Sequence, residues 1–414
     1  MNTHIETWLA HIRALAVDIG PRGPTTEGER RGAAYCAEVF RRLGLAPQVE
    51  DFISARSIFQ PYLVAASALL LAFVLYPLAG RASAAAAAVI SLAALVCDVL
   101  ELSLVDNPLR RIVPKGPSQN VVAVVPPSAE HRQDLVLIGH IDTARTAVIF
   151  STPRWIAIYK AFIAITFVVF ISQALLYVLG AFTGWAWIWP ATVPSAAAAV
   201  LSLAMYLQAE RTPFTAGAND NASGVGLALT LAEALLSQPL RHTRVWLACT
   251  GCEEAQHYGA ADFFRRHRGE LLRPATVAFE TLGCSNPAWL TREGIIVPFH
   301  ADPGLVRLAE TVAAQRPELG ARPTQISGGN TEMADALRLG IPALTIGGQA
   351  RGNTVPYWHQ VSDSYDKMDP EALGRAYVFT VAFLAAVDAR AEEMLMPPRY
   401  SDRRLSSGPS IRIR

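Results

Sequence analysis

Three apolar, strand-like runs of the chain lead into side chains that can bind a metal. The run DLVLIGH ends at His140, with Asp142 just beyond it; VWLACTG leads to Glu253 and Glu254; and TVAFE ends at Glu280. In open α/β sheets, functional sites form beyond the carboxyl ends of the strands. We therefore expect these side chains to meet at one edge of a sheet.

Two further candidates lie in loops: Asp220, in GANDNASG before a helix, and His359, in YWHQVSDSYD near the end of the chain. Each candidate has a plainer interpretation alone, because an acidic residue before a helix commonly caps it and adjacent glutamates commonly face solvent. Together, histidine nitrogens and carboxylate oxygens suit zinc, and a shared carboxylate suits two ions roughly 3.5–4 Å apart. The set predicts a metal centre.

A centre of this kind indicates hydrolysis. Zinc lowers the pKa of bound water to about 7 and polarises a substrate carbonyl. A carboxylate beside that water can take its proton and return it to the leaving amine. Because Glu253 and Glu254 are adjacent, one can bind the metal while the other stays free as the base.

The elements that must position these residues alternate between helix and strand. Apolar spacing predicts helices over residues 5–17, 26–43, 221–237, 258–267, 303–315, 330–339 and 370–394. Apolar runs predict strands over residues 47–54, 120–125, 134–140, 245–251, 276–280 and 342–346. This alternation predicts an α/β fold whose sheet is covered on both faces.

Two long segments, residues 57–80 and 161–209, contain no charged residue. A helix needs roughly 20 apolar residues to cross a bilayer. The first segment and the alanine-rich run 83–104 predict one transmembrane hairpin, and the second has room for spans at about 161–182 and 188–208. Three tryptophans cluster at the turn between these two spans, where indole rings favour the membrane interface. Buried core helices are the alternative.

Four spans in two hairpins return the chain to one side of the bilayer. We therefore predict a discontinuous catalytic domain of residues 1–56, 106–160 and 210–396, hairpins at 57–105 and 161–209, and a basic disordered tail at 397–414. Basic residues flank the domain side at Arg56, Arg110, Arg111, Lys115, Arg154, Lys160 and Arg211, whereas the opposite loops offer only Arg81. This excess predicts a cytoplasmic catalytic domain.

Composition excludes other classes of protein. The chain of 414 residues has 36 basic and 35 acidic residues, a balance that gives no electrostatic case for nucleic-acid binding. Charged residues make up 17% and hydrophobic residues 51%, which is too apolar for a disordered chain. Five scattered cysteines, an odd number, exclude a disulfide scaffold.

The motifs HID, NDNASG, CEEA, FE and WHQVSD, in this order, resemble those of the di-zinc exopeptidases of the bacterial leucyl aminopeptidase and glutamate carboxypeptidase II type. Glutaminyl cyclases share the fold. The resemblance covers most of residues 1–56 and 117–394 and implies a three-layer zinc-exopeptidase fold with a central mixed sheet. The transmembrane hairpins lie outside it as insertions and leave the order of the motifs intact.

The resemblance also implies a part for each residue. The ligands of two zinc ions would be His140, Asp220, Glu254, Glu280 and His359, with Asp220 bridging both ions. Glu253 would be the general base, and Asp142 would orient the ring of His140. The family usually has Asp at the position of Glu280, which is one methylene longer. Tyr357 is a loose match to a tyrosine that stabilises the oxyanion in the family. Asp363 would contact the ligands without binding the metal itself.

The expected function is that of a membrane-anchored zinc metallopeptidase, an aminopeptidase acting on peptides. Two alternatives remain. One is a glutaminyl-peptide cyclase, which typically uses a single zinc, and the other is a catalytically silent membrane scaffold. The presence of every candidate ligand, apart from the Glu280 substitution, favours the peptidase.

Overall fold

A nine-stranded mixed sheet forms the centre of the computed structural model, which describes residues 3–295, 297–349 and 355–393. The strands are β1 (Gln48–Ala55), β2 (Lys115–Val125), β3 (Gln133–His140), β4 (Thr243–Thr250), β5 (Ala275–Glu280), β6 (Pro287–Glu293), β7 (Phe299–His300), β8 (Arg322–Gln325) and β9 (Ala343–Gly348). The tail predicted to be disordered, 397–414, lies outside the described residues.

The order across the sheet is β1-β2-β4-β3-β5-β9-β6-β7, with β8 paired to β6. Neighbours β4, β3, β5 and β9 are parallel, while β1 and β2 join one side and β6 the other in antiparallel pairs. Apart from their first residues, β3 and β5 are buried throughout, so both sheet faces are covered. The parallel strands therefore end together at one edge, as the motifs require.

Helices of the domain pack on this sheet. They are α1 (Thr3–Arg13), α2 (Glu27–Arg42), α9 (Ser223–Ser237), α10 (Tyr258–His267), α11 (Pro303–Gln315), α12 (Glu332–Arg338) and α13 (Pro370–Glu393). The helix α9 lies against β3, β4 and β5, whereas α10 and α12 lie against β4 and β9 respectively. Thr26 caps α2 by accepting a hydrogen bond from the amide of Glu29, which explains why the helix begins where sequence spacing predicts.

Three strands were not anticipated from the sequence. The segment of β6 reads PAWLTRE and that of β8 reads RPTQ, while β7 has two residues. None has the long apolar run of a buried central strand, because all three lie at one end of the sheet. The predicted helix 5–17 is also shorter, since α1 ends at Arg13 and a wider turn follows over Ala14–Ile19.

The two predicted hairpins fold into a bundle of four long helices, with two short helices beside them. Its members are α3 (Phe59–Leu75), α4 (Arg81–Leu102), α5 (Pro108–Ile112), α6 (Pro153–Thr183), α7 (Ile188–Ala191) and α8 (Val193–Glu210). Ala65, Ala94 and Ala199 pack in its interior, and Gln173 donates hydrogen bonds to the carbonyl of Leu69 and to Ser91 Oγ. Small residues and interhelical hydrogen bonds are typical of helices that associate in lipid.

Three described helices are long and apolar enough to cross a membrane: α4, α6 and residues Pro370–Ala391 of α13. The last of these contributes Leu373, Phe379 and Phe383 to the core beneath the sheet, so its apolar character serves packing. The four-helix bundle of the prediction forms, but α3 has only 17 residues. Length and composition therefore do not establish four spans.

Candidate metal centre

The carboxyl ends of the parallel strands bring the predicted residues together. His140 is the last residue of β3 and Glu280 the last of β5, and Glu253 and Glu254 follow β4 after two intervening residues. Asp220 lies in the loop before α9. All five line one cavity. The strand-end argument from the sequence therefore holds for residues up to 140 positions apart in the chain.

His140 forms the centre of a first cluster. Its Nε2 lies 3.3 Å from Asp220 Oδ1 and 3.4 Å from Glu280 Oε2, and Glu253 Oε2 is 3.9 Å away. Its Nδ1 donates a hydrogen bond of 3.1 Å to the carbonyl of Asp142, so Nε2 is free to act as a ligand. The carboxylate of Glu280 therefore lies in the cluster, although its side chain is one methylene longer than that of aspartate.

His359 forms a second cluster, with its Nε2 at 3.4 Å from Asp220 Oδ2 and 3.2 Å from Glu254 Oε1. Asp220 thus presents one carboxylate oxygen to each histidine. Both Asp220 Oδ2 and Glu254 Oε1 are buried without a hydrogen-bond partner in the described residues, which is costly unless a cation satisfies them. The two clusters share Asp220, and this donor set fits two divalent ions.

Two buried aspartates hold the backbone that carries these ligands. Asp142 accepts hydrogen bonds from the amides of Glu253 and Glu254, at 3.0 and 2.9 Å. Asp363 accepts from the amides of Asn219 and Asp220, at 2.7 and 3.0 Å. The carboxylate of Asp142 therefore aims the two glutamates as well as contacting His140, an arrangement that the sequence did not reveal.

The excess of carboxylates makes the site unfavourable without cations. Burial and the charge of Asp220 raise the pKa of Glu254 to about 7 and that of Glu280 well above its usual range. Although burial opposes it, the charge of Glu254 raises the pKa of His359 to about 9. Divalent ions would neutralise the carboxylates and displace protons from the imidazoles.

His257 is a residue of the site that sequence reasoning left unassigned. Its Nε2 lies 3.0 Å from Glu253 Oε1, and its Nδ1 lies 2.7 Å from Asp335 Oδ2. Burial opposes ionisation of Glu253, but the charges of His257 and His140 lower its pKa to about 2. Glu253 is therefore a carboxylate at neutral pH, held in place by His257. The sequence signal for this contact is the four-residue spacing between Glu253 and His257, which precedes the first residue of α10.

We expect His257→Gln to lower kcat by about 10- to 100-fold, because a hydrogen bond to a charged group contributes about 1.5–3 kcal/mol. The zinc content and KM should change little, since His257 contacts Glu253 and not the five candidate ligands. Steady-state kinetics with metal analysis measures this. The exposed His300→Gln is the matched control, and an unchanged kcat in a folded His257 variant would refute the positioning role.

Arg22 is a second residue that the sequence analysis missed. Its fully buried guanidinium donates to the carbonyls of Ile141 at 2.7 Å and of Ala216 and Gly217 at 3.0 Å. Ile141 follows the ligand His140, and Gly217 precedes Asp220 by three residues. Arg22 therefore ties together the two loops that carry these ligands.

Two late loops lie near the metal centre. Residues Gly328–Thr331 line the cavity, and Thr331 also caps α12 by accepting a hydrogen bond from the amide of Met333. Tyr357 is half-buried and is not among the described residues that line the cavity, although Trp358 and His359 are. The structure therefore gives no support to Tyr357 as an oxyanion ligand.

The chain matches the model of peptidase family M28 over residues 195–384. This segment begins within α8 of the second hairpin, after His140, and contains Asp220, Glu253, Glu254, Glu280 and His359. The sequence has no significant match among curated proteins.

Solved structures with the same fold include zinc aminopeptidases and glutaminyl cyclases. BSAP, a zinc aminopeptidase from Bacillus subtilis, is 15% identical over 92% of this chain and 95% of its own, with a TM-score of 0.54. A leucine aminopeptidase precursor from Bacteroides thetaiotaomicron is 14% identical over 92% of this chain and 96% of its own, with a TM-score of 0.53. The glutaminyl cyclase of the same organism, bound to N-acetylhistamine, is 13% identical over 92% of this chain and 97% of its own, with a TM-score of 0.55.

These comparisons confirm the resemblance and the mixed α/β fold with a central mixed sheet. The chain is therefore similar, in its fold and over the segment that the family model matches, to zinc-dependent peptidases and to cyclases built on the same scaffold.

Proposed function

We propose that the protein is a membrane-anchored metallopeptidase that uses two zinc ions and releases N-terminal residues from peptides. The observation that carries this proposal is Asp220, whose two oxygens lie 3.3 and 3.4 Å from His140 and His359 respectively. A carboxylate shared in this way suits a two-metal site. The family match and the aminopeptidase neighbours support hydrolysis as the reaction.

The chain's own residues would divide the work as follows. His140, Asp220 and Glu280 would hold one ion, and Asp220, Glu254 and His359 the other. The bound ions would supply an activated water and polarise the scissile carbonyl. Glu253 is held by His257, and its lowered pKa of about 2 keeps it ionised at neutral pH. It would take the proton from that water and deliver it to the leaving amine.

The test is a panel of aminoacyl chromogenic amides and N-terminal glutaminyl peptides, applied to the full chain in detergent with zinc. We expect release of the chromogenic amine, its loss on chelation and its recovery on reloading with zinc. Release of ammonia from glutaminyl peptides without hydrolysis would favour a cyclase, the alternative supported by the cyclase neighbours. Two bound zinc ions with neither activity would leave the silent scaffold.

The outward faces of the helical bundle support the membrane anchor. Several large apolar side chains on these faces are more than half exposed: Val74, Val89, Ile165, Leu175 and Leu201. Monomeric soluble proteins rarely expose contiguous apolar surface of this kind. Trp185 and Trp187, in the turn between α6 and α7, are half exposed, as expected of tryptophans at a membrane interface.

Topology is tested with an impermeant maleimide. Ala186→Cys, in the turn between α6 and α7, should be labelled in intact expressing cells, and Glu318→Cys, exposed on the domain, only after permeabilisation. The parent chain is the control, because four of its cysteines are buried and Cys284 is half-buried. Labelling of Glu318→Cys in intact cells would contradict a cytoplasmic domain.

A further inference from the structure

The cavity at the metal centre continues into the helical bundle. It has a volume of about 180 Å³, and its lining includes His140 and Glu254 at one end and Leu102 and Phe170 among the bundle helices. Along α6 the lining runs from Tyr159 to Phe170, a step of eleven residues that rises about 16 Å. The two hairpins therefore form part of the wall of the cavity that contains the metal ligands.

Aromatic rings form much of the wall. The ring of Phe150 lies 4.6 Å from that of His359 and 6.0 Å from that of Tyr159. Tyr62 and Tyr206 face each other at 5.8 Å, and all of these aromatic residues line the cavity. Such a wall can pack the aliphatic stem of a long side chain and attract a cation over its ring faces.

Two polar atoms in this part of the cavity have no partner. Asp98 Oδ1 and Thr166 Oγ1 are buried and make no hydrogen bond to a described residue. Arg110, on α5, pairs with Glu101 at 2.9 Å. An ionisable side chain within a transmembrane bundle is costly and usually marks a substrate or ion site. Asp98 and Thr166 therefore lack a cationic hydrogen-bond donor.

We propose that this cavity takes the basic side chain, lysine or arginine, of the substrate's N-terminal residue, with its charged end on Asp98. The inference rests on the proposed peptidase function and adds the class of substrate. The ammonium of lysine has three donors, and Asp98 Oδ1 is a buried acceptor with no partner among the described residues. Thr166, Tyr62 and Tyr206 line the same cavity.

The helix that carries Asp98 reaches the loop that carries Glu253. Gln256, three residues after Glu253, donates a 2.6 Å hydrogen bond to the carbonyl of Glu101, so the end of α4 abuts this loop. Asp98 lies three residues further into the bundle, about 4.5 Å along the helix axis. The substrate's α-ammonium stays about 2.5 Å from the scissile carbon, so the part of the substrate that extends into the bundle is its side chain.

The test compares lysyl, arginyl, leucyl and phenylalanyl amides on the full chain in detergent. We expect the wild type to prefer the basic substrates, and Asp98→Asn to lower kcat/KM for them on the order of 30-fold or more while leucyl hydrolysis is retained. Asp98→Glu should keep the preference. The control is Asp106→Asn, an exposed acid in the loop just beyond α4. An apolar preference that Asp98→Asn leaves unchanged would overturn the proposal.

A binding measurement separates failure of this inference from failure of the proposed function. Hexylammonium should raise the Tm of the wild type but not of Asp98→Asn, whereas hexanol, its uncharged counterpart, should act equally on both. If no amide is cleaved, the peptidase proposal fails, and this difference still decides whether Asp98 binds a cation. Equal shifts by both probes in both proteins would refute the basic subsite.

Discussion

Glu253→Gln is expected to lower kcat by a factor on the order of 10²–10⁴, the usual contribution of a general base. The amide keeps the size of the side chain but cannot accept a proton. Glu253 takes no part in the four contacts that join His140 and His359 to Asp220, Glu280 and Glu254, so the zinc content should be unchanged. Steady-state kinetics with elemental analysis tests both expectations.

The matched control is Glu310→Gln, an exposed glutamate on α11, which should behave as the wild type. A Glu253 variant that keeps its zinc and retains activity within a few-fold would show that another group takes the proton. Loss of zinc together with activity would instead make Glu253 a ligand, an assignment compatible with its 3.9 Å separation from His140.

Asp220→Asn should reduce bound zinc from two ions per chain to one or none and abolish hydrolysis. Its two oxygens serve separate histidines, and an asparagine has only one oxygen and no charge to offer. Breaking a buried charge arrangement by removing one partner costs about 3–5 kcal/mol, which corresponds to at least a hundredfold loss of affinity.

For this variant, elemental analysis of the detergent-solubilised protein after dialysis against a weak chelator gives the count directly. Asp18→Asn, an exposed aspartate near the amino terminus, should retain both ions. Two zinc ions in Asp220→Asn would mean that the two clusters do not share this residue as a ligand.

The candidate ligands could be predicted from the sequence because they end strands or lie in adjoining loops. Parallel strands place their carboxyl ends at one edge, so His140 and Glu280 converge without any knowledge of the loops. The network behind the base could not be predicted in this way. His257 meets Asp335, 78 residues later, through the packing of α10 against α12, and no local pattern encodes that contact.

The helical insertions show the same limit. The two uncharged segments and the alanine-rich run predicted the helices α3, α4, α6 and α8, but not which of their faces would line the cavity. Asp98 looked like an ordinary charge near the end of an apolar run, and only the fold places it in the cavity that contains the metal ligands. Similarly, the apolar composition of α13 resembles that of a span, although its large side chains belong to the core.

Anomalous diffraction at the zinc edge from crystals of the zinc-loaded chain tests the central claim most directly. We expect two peaks roughly 3.5–4 Å apart, one among His140, Asp220 and Glu280 and the other among Asp220, Glu254 and His359. A single peak, or peaks away from Asp220, would contradict the two-metal account.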